Sequence, residues 1–145
     1  MTIHDALKNL VLDHIAVAVD DLDKSVLFYQ NLGLVFEDER EVVEEQKVIT
    51  AFSPIDHNTH LELLTPYGIK KEDGAIFQYL QKKGPGIHHL CFTVLNLEQK
   101  CFELKALGVQ FLYSQAKIGA KKRLVNFIHP KSAGGVLIEL SQKIE

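Results

Sequence analysis

The chain repeats itself at a fixed distance, and that periodicity narrows the folds open to it more than any other feature. The segment "DHIAVAVDDLDKSVLFYQNLGLVF" lies over "HHLCFTVLNLEQKCFELKALGVQF" without a gap. His14 falls on His89, Val19 on Val94, Leu22 on Leu97, Leu32 on Leu107, Gly33 on Gly108 and Phe36 on Phe111; 89 − 14 and 108 − 33 both give 75. A duplication of this length means two copies of one supersecondary unit, each needing the other to bury a continuous face.

Each copy opens on an alternating strand. Leu90, Phe92 and Val94 share one face, and His89, Cys91 and Thr93 the other. In the first copy His14 is followed on its face by Ala16 and Ala18, which are small enough to leave room beside an imidazole. A helix follows in each copy. Leu22, Val26, Tyr29 and Leu32, and likewise Leu97, Cys101, Leu104 and Leu107, recur at i, i+4, i+7 and i+10, which is one helical face. Gly33 and Gly108 suit the left-handed residue that ends a helix, and Asp20–Asp21 supply a cap and favourable charge at the first helix's start.

Strand-like runs come next, at about 34–43, 46–53 and 59–65 and again at about 110–115, 123–129 and 135–142. Between the copies "DGAIFQYLQKKG" reads as a linking helix stopped by Gly84. The expected fold is α+β: two tandem βαβββ modules in one domain over 1–145, module 1 at about 12–66, the linking helix at about 73–84 and module 2 at about 87–142. The modules are expected to form a curved mixed sheet with helices outside and a cupped inner face.

Composition narrows the partners. Apolar residues make up 46% of the chain and charged residues 24%, an ordinary globular balance, and a formal charge of −3 argues against a general nucleic-acid binder. The opening "MTIHDALKNL" has no apolar run of signal-peptide or membrane-span length. Cys91 and Cys101 form neither a metal-ligand spacing nor a disulfide framework, so a reducing cytoplasm is the expected compartment. A homodimer is expected, with no membrane partner.

The repeat also places chemistry. Each copy's last strand carries one glutamate between apolar neighbours: Glu62 in "HLELL" and Glu139 in "VLIEL". Period-two alternation turns each away from its apolar neighbours, toward the histidine face. His14, Glu62, His89 and Glu139 thus form two imidazole–carboxylate sets related by the repeat, a donor set for a divalent metal such as Co, Zn, Ni or Mn. Other candidates read more simply. His88 points away from His89, His129 precedes a proline in a turn, and Cys91 lines the face or core. Lys121, Lys122 and Arg123 form a solvated basic loop; the two lysines are also candidates for holding substrate phosphates.

At these residues the chain resembles the vicinal oxygen chelate (glyoxalase/bleomycin resistance) superfamily, from Leu12 to about Ser141. Within it, the chain is most like the methylmalonyl-CoA epimerase family. "LDHIAVAVDDLDKSVLFYQNLGL", "HLELLTP" and "GPGIHHLCFTV" carry the likeness, and above all "FIHPKSAGGVLIEL". The resemblance implies a metal at His14, Glu62, His89 and Glu139, with Glu139 doubling as a catalytic base, and no organic cofactor. It implies an epimerase that inverts the α-carbon of an acyl-CoA such as methylmalonyl-CoA through an enolate.

The alternative is a glyoxalase I-type lactoylglutathione lyase acting on a methylglyoxal–thiol hemithioacetal; a non-enzymatic small-molecule binding protein comes third. Two departures stand out. Lys121 and Lys122 lie where many epimerases have loop glycines. The register at which the family can supply a second glutamate base falls here near Ile49–Thr50, and Glu44 and Glu45 are the carboxylates nearest to it in sequence.

Overall fold

A computed structural model describes residues 10–144; Glu145 and most of the opening stretch read above for targeting signals lie outside the described residues. Contacts divide the chain into two units. One is His14–His88. The other runs from His89 onward and takes in the start of the first strand up to Asp13.

In the first unit, β1 (Val11–Ala18) leads into α1 (Leu22–Asn31), then β2 (Glu41–Val43), β3 (Val48–Pro54) and β4 (His60–Pro66). β4 pairs parallel with β1 and antiparallel with β3, and β2 pairs with β3. Helix α2 (Ala75–Lys83) follows, and β5 (Gly86–Thr93) begins the second copy. Helix α3 (Leu97–Ala106), β6 (Lys117–Ile118), β7 (Leu124–Ile128) and β8 (Ile138–Gln142) complete it. There β8 pairs parallel with β5 and antiparallel with β7, and β6 pairs with β7. Both units are therefore βαβββ modules with mixed sheets, and the fold class is α+β.

The helices form for reasons the sequence supplies. The Asp21 carboxylate caps α1 by accepting from the Lys24 amide at 3.1 Å, and Asn96 caps α3 through the Gln99 amide at 3.1 Å. Both end in one motif. Gly33 sits at φ +110° and Gly108 at φ +92°. The Leu34 amide reaches back to the Tyr29 carbonyl at 3.1 Å and the Val109 amide to Leu104 at 3.0 Å, which satisfies carbonyls a helix end would otherwise leave open. Leu22 and Val26 pack with Val19, Ala51 and Leu63; Leu97 and Cys101 pack with Val94 and Leu140. Each large apolar side chain so buried contributes about 1.5–3 kcal/mol.

Two expectations need correction. The last apolar residues assigned to the helix faces, Leu32 and Leu107, are 65% and 81% exposed. Both lie past the final helical turn, where the chain leaves the helix and the 3.6-residue period no longer governs direction. The second strand of the first module is far shorter than expected, and in the second module no strand forms at 110–115, the two-residue β6 lying beyond it. Over 34–40 the chain touches β3 through the Glu37 amide on the Phe52 carbonyl (2.8 Å) and the Ser53 hydroxyl on the Val35 carbonyl (2.7 Å). The second copy repeats the first of these bonds, Leu112 to Phe127 at 2.8 Å. Its 110–115 segment is otherwise held by an isolated bridge at Phe111 and by the buried Asn126 side chain. That amide donates to the Tyr113 carbonyl (3.1 Å) and accepts from the Tyr113 amide (3.2 Å), in place of a ladder.

Candidate metal-ligand pairs

In the first module, β1 and β4 run parallel with His14 opposite His60 and Ala16 opposite Glu62. Glu62 is thus one ladder step on from His14 on the same face. His14 Nε2 lies 3.3 Å from Glu62 Oε1, and the two residues are only 7% and 3% exposed. Ala16 and Ala18, beside them, are fully buried. Phe52, opposite Glu62 on β3, turns its ring edge-on to His14 at 6.5 Å between centroids.

The second module builds the same arrangement. Cys91 of β5 stands opposite Glu139 of β8, so Glu139 is one step from His89. His89 Nε2 is 3.0 Å from Glu139 Oε1, and these residues are 3% and 5% exposed. Phe127, opposite Glu139 on β7, meets His89 edge-on at 5.4 Å. The four candidates, expected on a cupped inner face, are each buried. In both pairs Nε2 and a carboxylate oxygen face each other. Each pair offers a nitrogen and an oxygen that would hold a cation.

Phe52 and Phe127 are a pair that sequence reading passed over. They are 75 residues apart, the spacing of the histidines (127 − 52 = 75). The signal was present, but a phenylalanine on a strand reads as core until its histidine neighbour is known.

The remaining candidates separate. Lys121 and Lys122 are exposed in the turn Ala120–Lys122, at φ +59° and +55°. Arg123 is not part of a solvated loop, as its basic neighbours suggested. Its guanidinium is mostly buried and donates to Asp13 Oδ1 at 2.5 Å, and the Thr93 hydroxyl donates to the same oxygen at 3.2 Å. His88 packs edge-on against Tyr79 of α2 at 4.9 Å, away from the His89 face. His129 Nδ1 accepts from the Lys131 amide at 3.0 Å, a turn role. Cys91 is buried with its thiol 3.5 Å from the Ser141 hydroxyl. Among the described residues no helix is long and apolar enough to cross a membrane.

The family model of the glyoxalase/bleomycin resistance protein/dioxygenase superfamily matches residues 13–127. The chain belongs to this superfamily. It is 40% identical over 132 residues to the mitochondrial methylmalonyl-CoA epimerase of Homo sapiens, covering 90% of this chain and 73% of that one. It is 37% identical over 134 residues to the ethylmalonyl-CoA/methylmalonyl-CoA epimerase of Cereibacter sphaeroides, covering 90% and 96%. The crystal structure of methylmalonyl-CoA epimerase from Mycobacterium tuberculosis superimposes with a TM-score of 0.85 at 35% identity, over 92% of this chain and 88% of that one. Both modules are matched in these superfamily members, so the paired-module fold is theirs as well.

Proposed function

We propose that the protein is a metal-dependent epimerase of acyl-CoA thioesters, methylmalonyl-CoA first among them. In this reading His14, Glu62, His89 and Glu139 form one ligand set. The observation that carries it is the doubled pair: two buried imidazole–carboxylate contacts, each backed by an edge-on phenylalanine and each built at the same ladder step. The donor set fits a divalent ion. Two carboxylates balance two positive charges, two neutral imidazoles add no charge, and nitrogen with oxygen donors suits Co, Zn, Ni or Mn. Burying two carboxylates without such compensation would be costly.

When bound, such an ion supplies Lewis acidity to a thioester oxygen, which makes the adjacent carbon acid easier to ionise. The chain's own residues do the rest. Glu139 takes the α-proton on one of its carboxylate oxygens. Phe52 and Phe127 hold the imidazole planes, so that Nε2 stays aimed at the site. Ala16 and Ala18 keep the face beside His14 free of bulk. Lys121 and Lys122 hold the phosphates of CoA from an exposed loop, an attraction that salt weakens. The same reading takes 1–145 as a single domain, acting as a homodimer in the cytoplasm.

The test is isotopic. In deuterium oxide, methylmalonyl-CoA should gain deuterium at its α-carbon only when protein and metal are both present. Absence of exchange with any acyl-CoA, beside rapid turnover of a methylglyoxal–thiol adduct, would replace the epimerase by the lyase.

A further inference from the structure

We infer that Arg123 is a positioning residue for substrate binding: paired with Asp13, it fixes the loop from which Lys121 and Lys122 meet the phosphates of the acyl-CoA. The inference rests on the epimerase reading above and on the role given there to the two lysines. Every residue it uses lies in the contact unit that runs from His89 onward and takes in Asp13.

The loop is short and closed. β6 and β7 pair through Ile118 and Leu124, which leaves 119–123 as the connection. The Gly119 amide donates to the Arg123 carbonyl at 2.9 Å, and the Arg123 amide donates to the Ala120 carbonyl at 3.3 Å. Arg123 thus closes the loop with both of its backbone groups. Within it Lys121 (φ +59°, ψ +22°) and Lys122 (φ +55°) are both left-handed, a conformation that a β-carbon opposes. Two such residues in succession persist only where the surroundings over-determine them. Glycines would meet the same backbone demand without strain, so the turn gives no reason for lysines. Two ammoniums side by side on an exposed turn give one.

The Arg123 side chain supplies the over-determination. Arg123 is extended (φ −86°, ψ 153°) and carries on the alternation of β7, so it stands on the face of Val125 and Phe127. Phe127 lies opposite Glu139; Val125 lies opposite Ser141, which lies opposite Thr93. That is the face of His89 and Glu139. There the mostly buried guanidinium donates to Asp13 Oδ1, which also accepts from the Thr93 hydroxyl at 3.2 Å. A planar guanidinium fixes direction as well as charge, which an ammonium on a flexible stem does not. The loop is thereby tied to the strand that carries His89, four residues along it.

The consequence is a split between two parts of the substrate. CoA carries its phosphates far from the thioester, and contacts to them are made alike in the ground and transition states. Misplacing the lysines therefore weakens binding and spares the chemical step. A pantetheine thioester, which ends before the phosphates, does not register the change.

The test uses the full chain, metal-loaded, with methylmalonyl-CoA and with methylmalonyl-pantetheine. Wild type should show the lower KM for the CoA thioester, and raised salt should narrow the gap. Lys121→Gly with Lys122→Gly, which keeps the turn, should raise KM for the CoA thioester about threefold to tenfold. Arg123→Ala should raise it by a similar factor, with kcat within about twofold and KM for the pantetheine thioester unchanged. Joined to the glycine pair it should add little, because both act through the same contacts. Arg123→Lys should restore part of the binding. Thr93→Val, which takes one hydrogen bond from Asp13, should move KM in the direction of Arg123→Ala; these two variants carry the test if Arg123→Ala does not fold. Wild-type KM in folded Arg123→Ala would overturn the assignment. So would a rise in KM for both thioesters alike, since that marks a structural role. Wild-type protein that turns over neither thioester would instead overturn the epimerase reading itself.

Discussion

Replacing His89 with alanine takes the Nε2 contact from a Glu139 carboxylate that is nearly sealed from water. Breaking a buried pair from one side costs about 3 kcal/mol, because the remaining charge keeps its desolvation penalty. His89→Ala should therefore lose bound metal by elemental analysis and also unfold at markedly lower urea. Arg123→Ala makes a separate case. Asp13 would keep the Thr93 hydroxyl but lose its guanidinium, and a loss of about 1–3 kcal/mol is expected in the same titration. A third residue gives a pH signature. Burial pushes the Cys101 thiol above its ordinary 9.0, with the charge on Lys105 and a hydrogen bond from Asn126 pulling weakly the other way. Its contribution to stability is complete below the unfolded value and is lost as pH rises through the folded one. Wild type should therefore lose more stability than Cys101→Ala as pH rises past the ordinary 9.0, measured by denaturant midpoints.

Helix ends carry the next expectation. A side chain added at Gly33 or Gly108 would meet no atom within 4 Å, so alanine there is opposed by backbone conformation alone. Each substitution should cost about 1 kcal/mol, read from thermal midpoints. The two losses should add, because the caps lie in separate cores. Elements differ in how far a sequence discloses them. Both repeat helices were legible because period and stop agree within a dozen residues, with a cap read as well for the first; the Asn96 cap of the second was passed over. The two imidazole–carboxylate contacts were legible because alternation fixes a face and the repeat states it twice. The second strands were not. The apolar runs that follow Gly33 and Gly108 look like strands, yet what holds them is a bond or two from β3 and β7 and, in one copy, the side chain of Asn126. The Asp13–Arg123 pair was invisible for the same reason, being 110 residues apart with neither position patterned.

For the molecule as a whole, bound metal is expected to act on stability as any ligand of the native state does. At free metal about 100-fold above its dissociation constant the gain is about 2.7 kcal/mol. A chelator should lower the thermal midpoint accordingly, and restoring Co, Zn, Ni or Mn should raise it again in the order of their affinities. The repeat and the contact units also disagree at their seams. The sequence copies join near residue 85, but Asp13 bonds within the later unit, and the earlier one extends to His88. What was duplicated is therefore not what holds together. A gene cut between the copies would give an early fragment carrying an acidic strand end cut off from its guanidinium, and a late fragment with Arg123 left without its counter-charge. Trimming the chain to begin at His14 would be felt first at Thr93 and Arg123, in the copy whose sequence it leaves intact. The duplicated stretch and the contact unit are thus offset by a strand end at each seam, so a boundary drawn from the repeat is not the boundary at which contacts are fewest.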